Sequence, residues 1–147
     1  MISLSRSVMW LRLSAYMLLA FVAIWFLAVF PPIDRPASLL IDFLDWPVDR
    51  GSEFLSDDVR WLSAIGSGLL AFMAMNHLLV VAPELEAGNF RVLKGSAIAL
   101  LSWYLIDSVG SYAVGVPSNI FFNTVFLGLL LGPLWLVGRS QSEPTIG

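Results

Sequence analysis

Four apolar runs separated by polar links organise this chain. The first, Leu13 to Phe30, holds 18 residues without a charge, close to the ~20 that cross a hydrocarbon core. It stops at Phe30-Pro31-Pro32, because proline supplies no N–H donor to the helix ladder. The second, 59–82, follows Ser56-Asp57-Asp58, a capping serine and two acids at the positive end of a helix dipole. Pro83 closes it. The third, 90–113, opens behind Asn89, a second capping residue. After the uncharged turn Val114-Gly115-Val116-Pro117, Ser118 caps the fourth, 118–137, and a polar tail, 138–147, ends the chain. The pattern predicts one all-α domain over 1–147, an integral membrane four-transmembrane-helix bundle.

The link from 31 to 58 has a pattern of its own. In Pro36-Ala-Ser-Leu-Leu-Ile-Asp-Phe-Leu-Asp-Trp46, the residues Leu39, Leu40, Phe43, Leu44 and Trp46 fall towards one side at helical spacing. Asp42, Asp45 and Asp49 fall on another. This predicts a short interfacial amphipathic helix, 36–46, with its apolar face at the membrane surface and its carboxylates in water. The acids do not have the spacing of an EF-hand loop, which weighs against a calcium site.

Composition agrees with the class. The chain is 58% hydrophobic and 13% charged, with a mean hydropathy of +0.81, whereas soluble domains carry about 25% charged residues. Cysteine is absent, which excludes disulfides, thiolate nucleophiles and cysteine-ligated metals. His77 is the single histidine, so one chain holds no two-histidine metal or haem site. The net charge of -3 carries no nucleic-acid signature. Arg6 and Arg12 before an apolar run also fit a signal peptide. The length of the run, Trp25 within it and the lack of a small-residue cleavage site favour a first membrane helix.

Basic residues set the expected orientation. Arg6, Arg12, Arg91, Lys94 and Arg139 share one side of a four-span chain, and Arg35, Arg50 and Arg60 lie on the other. The positive-inside rule therefore places both termini in the cytoplasm, with 31–58 outside the inner membrane. Depth then follows at ~1.5 Å per helical residue. Asp107, the one acid in the third run, lies six residues from its outer end, roughly 9 Å in. Ser111 is one turn above it. Asn119 and Asn123 begin the fourth run from the same side, and Ser67 sits at a similar depth in the second. These five are expected to converge on one polar cluster. A carboxylate at that depth is costly and needs partners, so it marks either a ligand or proton site or polar glue between helices. His77 lies near the inner end, too far in depth for a bond to Asp107. It reads as an interfacial hydrogen-bonding residue, with a haem or quinone ligand, helped by Asn76, as the sharper alternative.

Small residues mark helix packing. Ser63, Ala64, Ser67, Gly68, Ala71 and Ala74 form a stripe on the second helix, and Thr124, Gly128 and Gly132 repeat every fourth residue on the fourth. Such faces let helix backbones approach closely in lipid. Trp10, Trp46, Trp61, Trp103 and Trp135 fall largely near the expected interfaces. There is no Walker motif, GxSxG, HExxH or CxxC, so no catalytic constellation and no cofactor is implied.

At Arg60-Trp-Leu-Ser-Ala-Ile-Gly-Ser-Gly-Leu69, at Trp103-Tyr-Leu-Ile-Asp-Ser-Val-Gly-Ser111 and at Gly115-Val-Pro-Ser-Asn119, the chain resembles a family of small four-helix bacterial membrane proteins, most of all its proteobacterial members. The resemblance covers roughly residues 40–137. It implies a four-helix fold in a bacterial inner membrane and no particular chemistry. The small multidrug transporters differ, since they carry a glutamate in the first helix and Leu13–Phe30 has no acid.

Two functions remain open on the sequence. The first is a non-enzymatic accessory or assembly subunit, or a homo-oligomer, whose partners are the bilayer and another membrane protein or itself. The second is a small-molecule or proton-coupled transporter or binder centred on Asp107.

Overall fold

The computed structural model describes residues 3–48 and 55–142. Asp49, Arg50, Glu53 and the tail beyond 142, which carried parts of the charge pattern, lie outside the described residues. The described chain is helical, with no strand among its residues. The elements are α1 (Leu4–Phe26) with a 3₁₀ turn (Leu27–Val29), α2 (Arg35–Asp45), α3 (Asp57–Asn76), a π-helical turn (His77–Val81), α4 (Ala82–Glu86), α5 (Arg91–Ala113) and α6 (Ser118–Ser142). Four stretches, Leu4–Val29, Asp57–Glu86, Arg91–Ala113 and Ser118–Gln141, are long and apolar enough to cross a membrane.

The helix boundaries overrun the uncharged runs, because a charge ends a hydrocarbon span but not a helix. α1 starts at Leu4, where the Ser3 hydroxyl accepts from the Arg6 N–H. Arg12 lies inside it and pairs with Glu86 at 2.7 Å. α3 starts as the sequence predicts, with Ser56 Oγ accepting from the Val59 N–H. Pro83, by contrast, does not end the second span. It stands in the first turn of α4, a position whose N–H is spare. The preceding π-helical turn, His77–Val81, inserts the extra residue that lets the helix continue.

α1 is the centre of the bundle. It packs against α3, α6, α2 and α4. Val8, Leu11, Ala15 and Leu18 form its buried stripe and meet Ala74, Val81, Leu85, Leu100, Leu130, Leu134 and Val137. This core fills the end of the bundle that carries the termini. α5 stands at the edge. It packs along α6, touches the π-helical turn lightly, and makes almost no contact with α3. The bundle is therefore closed at the terminal end and spreads between α3 and α5 towards the α2 end.

α2 differs from its expected pose. Leu39, Phe43 and Trp46 face outwards, as an interfacial helix requires, but Asp42 turns inwards with Ala37 and Ser38 and is 4% exposed. These shorter side chains let α2 close on α1, its 3₁₀ turn and α6. Asp45 stays exposed. Arg60 holds the link to α3. Its guanidinium pairs with Asp34 Oδ2 at 2.7 Å and donates to Ala28 O at 2.6 Å and Leu55 O at 3.2 Å.

Candidate functional site

Asp107 is where α5 meets α6. Its Oδ1 accepts from Ser111 Oγ at 3.2 Å, Asn119 Nδ2 at 2.9 Å and Asn123 Nδ2 at 2.8 Å. Asn119 Nδ2 also donates to Ser111 Oγ at 2.8 Å. Local rules build this arrangement. Asp107 and Ser111 are four apart on one helix, and so are Asn119 and Asn123 on the next, so each pair shares a face. The turn brings the two pairs together. Gly115 adopts φ +84°, a left-handed conformation that glycine accepts without strain. With it, the Val116 N–H reaches Ser111 O and the Gly115 N–H reaches Tyr112 O, the double closure of a Schellman cap. The chain reverses in the fewest residues, and Asn119 arrives over Asp107.

The seam continues one step further. Thr124 Oγ1 donates to Ile120 O at 2.7 Å, so at 3.0 Å the Tyr104 hydroxyl is the donor to Thr124. α5 buries few of its residues and is tied to α6 by these polar contacts as well as by packing.

Ser67 does not join the cluster. It is buried on α3, and its Oγ has no hydrogen-bond partner among the described residues. The reason is the spread between α3 and α5, which leaves a gap where the second helix was expected to close. The residue of α3 that does bond across is Ser63, whose Oγ accepts from Trp25 Nε1 at 3.1 Å. Ser118 also has another task than capping. Its hydroxyl donates to Leu44 O at 2.7 Å and pins α2 to the start of α6.

A part-open cavity of about 280 Å³ fills the gap. α1 contributes Phe21 and Trp25, α3 Gly66, Leu69 and Leu70, α5 Trp103 and Asp107, and α6 Asn119, Phe122, Asn123 and Phe126, with Leu44 of α2 at one end. Its walls are aromatic and its polar groups lie together. Phe21 packs edge-on against both Trp25 and Phe126, with ring centroids at 5.9 and 5.2 Å. Gly66 seats the Trp25 ring. A Cβ there would lie 2.5 Å from Trp25 Cη2. The small-residue stripe read from the sequence of α3 passes over Gly66 and includes Gly68, which meets nothing within 4 Å. Trp103 and Trp25, both deep in their apolar runs for an interfacial belt, line this cavity.

The remaining predicted residues lie elsewhere. Gly128 on α6 is exposed, and a Cβ there meets nothing within 4 Å; at Gly132 it meets the Trp10 ring at 3.4 Å. The fourth-residue repeat on α6 is thus split, one glycine against α1 and one on the outer surface. His77 is buried within the π-helical turn. Its Nδ1 is 2.8 Å from Met73 O, and its Nε2 is buried without a partner among the described residues. It neither bonds Asp107 nor lines the cavity.

No family model, no curated protein and no solved structure matches this chain.

Proposed function

We propose that this chain is a non-enzymatic multi-pass protein of a bacterial inner membrane that binds a small molecule in the cavity beside Asp107. Its orientation, on the distribution of arginine and lysine, has both termini in the cytoplasm and α2 on the outer face. One observation carries the functional reading. Asp107 has three donors on one oxygen and borders an aromatic-walled cavity of about 280 Å³. Polar glue alone needs no such space beside it. A concave apolar pocket with a few convergent polar groups is the usual form of a small-molecule site.

The test is chemical. Dicyclohexylcarbodiimide is an apolar reagent that forms adducts with carboxyl groups it can reach. With the folded protein in lipid, it is expected to label Asp107, read by mass spectrometry, and Asp107→Asn removes the adduct while the helical circular dichroism spectrum is kept. If Asp107 labels only after unfolding in dodecyl sulfate, the carboxyl is sealed in a packed seam and the reading fails.

A second reading, association with another membrane helix, rests on Gly68 and Gly128, which leave open space on the outer surface of the bundle. Small residues in that position admit close approach of a helix.

A further inference from the structure

The chemistry of the cavity narrows its occupant. Among its described lining residues there is one formal charge, and it is negative. No lysine, arginine or histidine faces it there. Asp107 Oδ1 is fully used by Ser111, Asn119 and Asn123. Oδ2 accepts no hydrogen bond among the described residues and is not closed off by packing. An anionic ligand would face the Asp107 carboxylate with one amide N–H to receive it, the second of Asn123, since Asn119 Nδ2 serves Asp107 Oδ1 and Ser111 Oγ and Asn123 Nδ2 gives its other N–H to Oδ1. What the site still offers is a carboxylate acceptor beside aromatic rings, Trp25 and Trp103 among them. An ammonium group satisfies both, by a charge-assisted N–H···O bond and by attraction to the ring faces.

The opening points to the route. α3 and α5 barely touch, and Leu69, on the cavity lining, is 65% exposed. The gap therefore opens sideways between two helices that are themselves apolar enough to stand in a bilayer. The volume of about 280 Å³ is just below the range for drug-sized ligands, room for one ring and a short chain.

We infer that the cavity takes a small lipophilic ammonium compound, which enters sideways from the bilayer between α3 and α5 and sets its N–H on Asp107 Oδ2. This rests on the reading of the cavity as a ligand site.

The full chain in phosphatidylcholine nanodiscs is titrated by calorimetry with three probes of one skeleton: phenethylammonium, phenethyl alcohol and hydrocinnamate. Phenethylammonium is expected to bind at one site about tenfold tighter than the alcohol, a difference of about 1.4 kcal/mol, and hydrocinnamate shows no saturable binding. Asp107→Asn brings the ammonium down to the affinity of the alcohol. If that variant does not fold, Leu70→Trp serves instead, since it fills the cavity and leaves Asp107 and its donors in place. It abolishes saturable binding of every probe. Equal affinity for alcohol and ammonium overturns the cationic class but leaves the cavity as a ligand site. An ammonium preference that survives both variants overturns it too. If no probe binds while carbodiimide still labels Asp107, the cationic class fails alone; if neither occurs, the binding reading fails with it.

Discussion

Asn123 Nδ2 donates to Asp107 Oδ1 at 2.8 Å across the α5–α6 seam, and Asn123 is itself buried. This bond joins an edge helix to the body of the bundle. Interhelical hydrogen bonds in membranes contribute about 0.6 kcal/mol on average. Asn123→Leu is expected to cost about that much, since Asp107 keeps two donors. Asp107→Leu is expected to cost more, because it leaves the Asn123 amide and one N–H of Asn119 without their acceptor. Reversible unfolding in mixed micelles gives both values. A smaller loss for Asp107→Leu than for Asn123→Leu contradicts the geometry.

Gly66 predicts a cavity-wall defect. A Cβ at this position would overlap the Trp25 ring at 2.5 Å, so Gly66→Ala must push the indole aside and stretch its bond to Ser63. Overpacking of this kind costs roughly 1–3 kcal/mol. Gly68→Ala, with nothing within 4 Å, is expected to be neutral. Thermal unfolding and the Trp25 emission, isolated in a background with the other tryptophans replaced by phenylalanine, check the contrast.

Arg60 predicts a loosened link. Its guanidinium serves Asp34, Ala28 O and Leu55 O at once, and both charged side chains are about one-fifth exposed. Arg60→Met leaves Asp34 and the Ala28 carbonyl without that donor, at a cost of about 1–3 kcal/mol. Asp34→Asn costs less, because the two carbonyl contacts remain. Hydrogen exchange is expected to rise around Ala28 and at the start of α3 in Arg60→Met, with little change in α5.

The two glycines of α6 separate folding from association. Gly128→Leu enters open space, so the single chain is expected to stay as stable as before. Gly132→Leu meets the Trp10 ring and is expected to destabilise the chain by roughly 1–3 kcal/mol. A smaller particle for Gly128→Leu in detergent, at unchanged stability, supports association through that face. An unchanged particle size removes the second reading on α6.

The polar seam was legible in the chain because it is mostly local. Asp107 with Ser111 and Asn119 with Asn123 are each one helical turn apart, and Gly115 between them signals a tight reversal, so both faces and their depth follow from counting residues. Ser67, placed with them on depth alone, shows the limit. Depth is one coordinate, and two residues at the same depth meet only if their helices touch.

What the sequence determined by itself is therefore the set of apolar helices, their caps at Ser56 and their stop at Pro31-Pro32, and the pairing of α5 with α6. Each depends on periodicity and turn chemistry within a few residues. Only the tertiary structure decided that α1 is the centre, that Asp42 turns inwards, that Gly66 rather than Gly68 seats Trp25, and that α3 and α5 part around a cavity. All four depend on which helix lies beside which, and in an apolar chain nearly every face is equally hydrophobic, so periodicity carries no signal of neighbour or rotation.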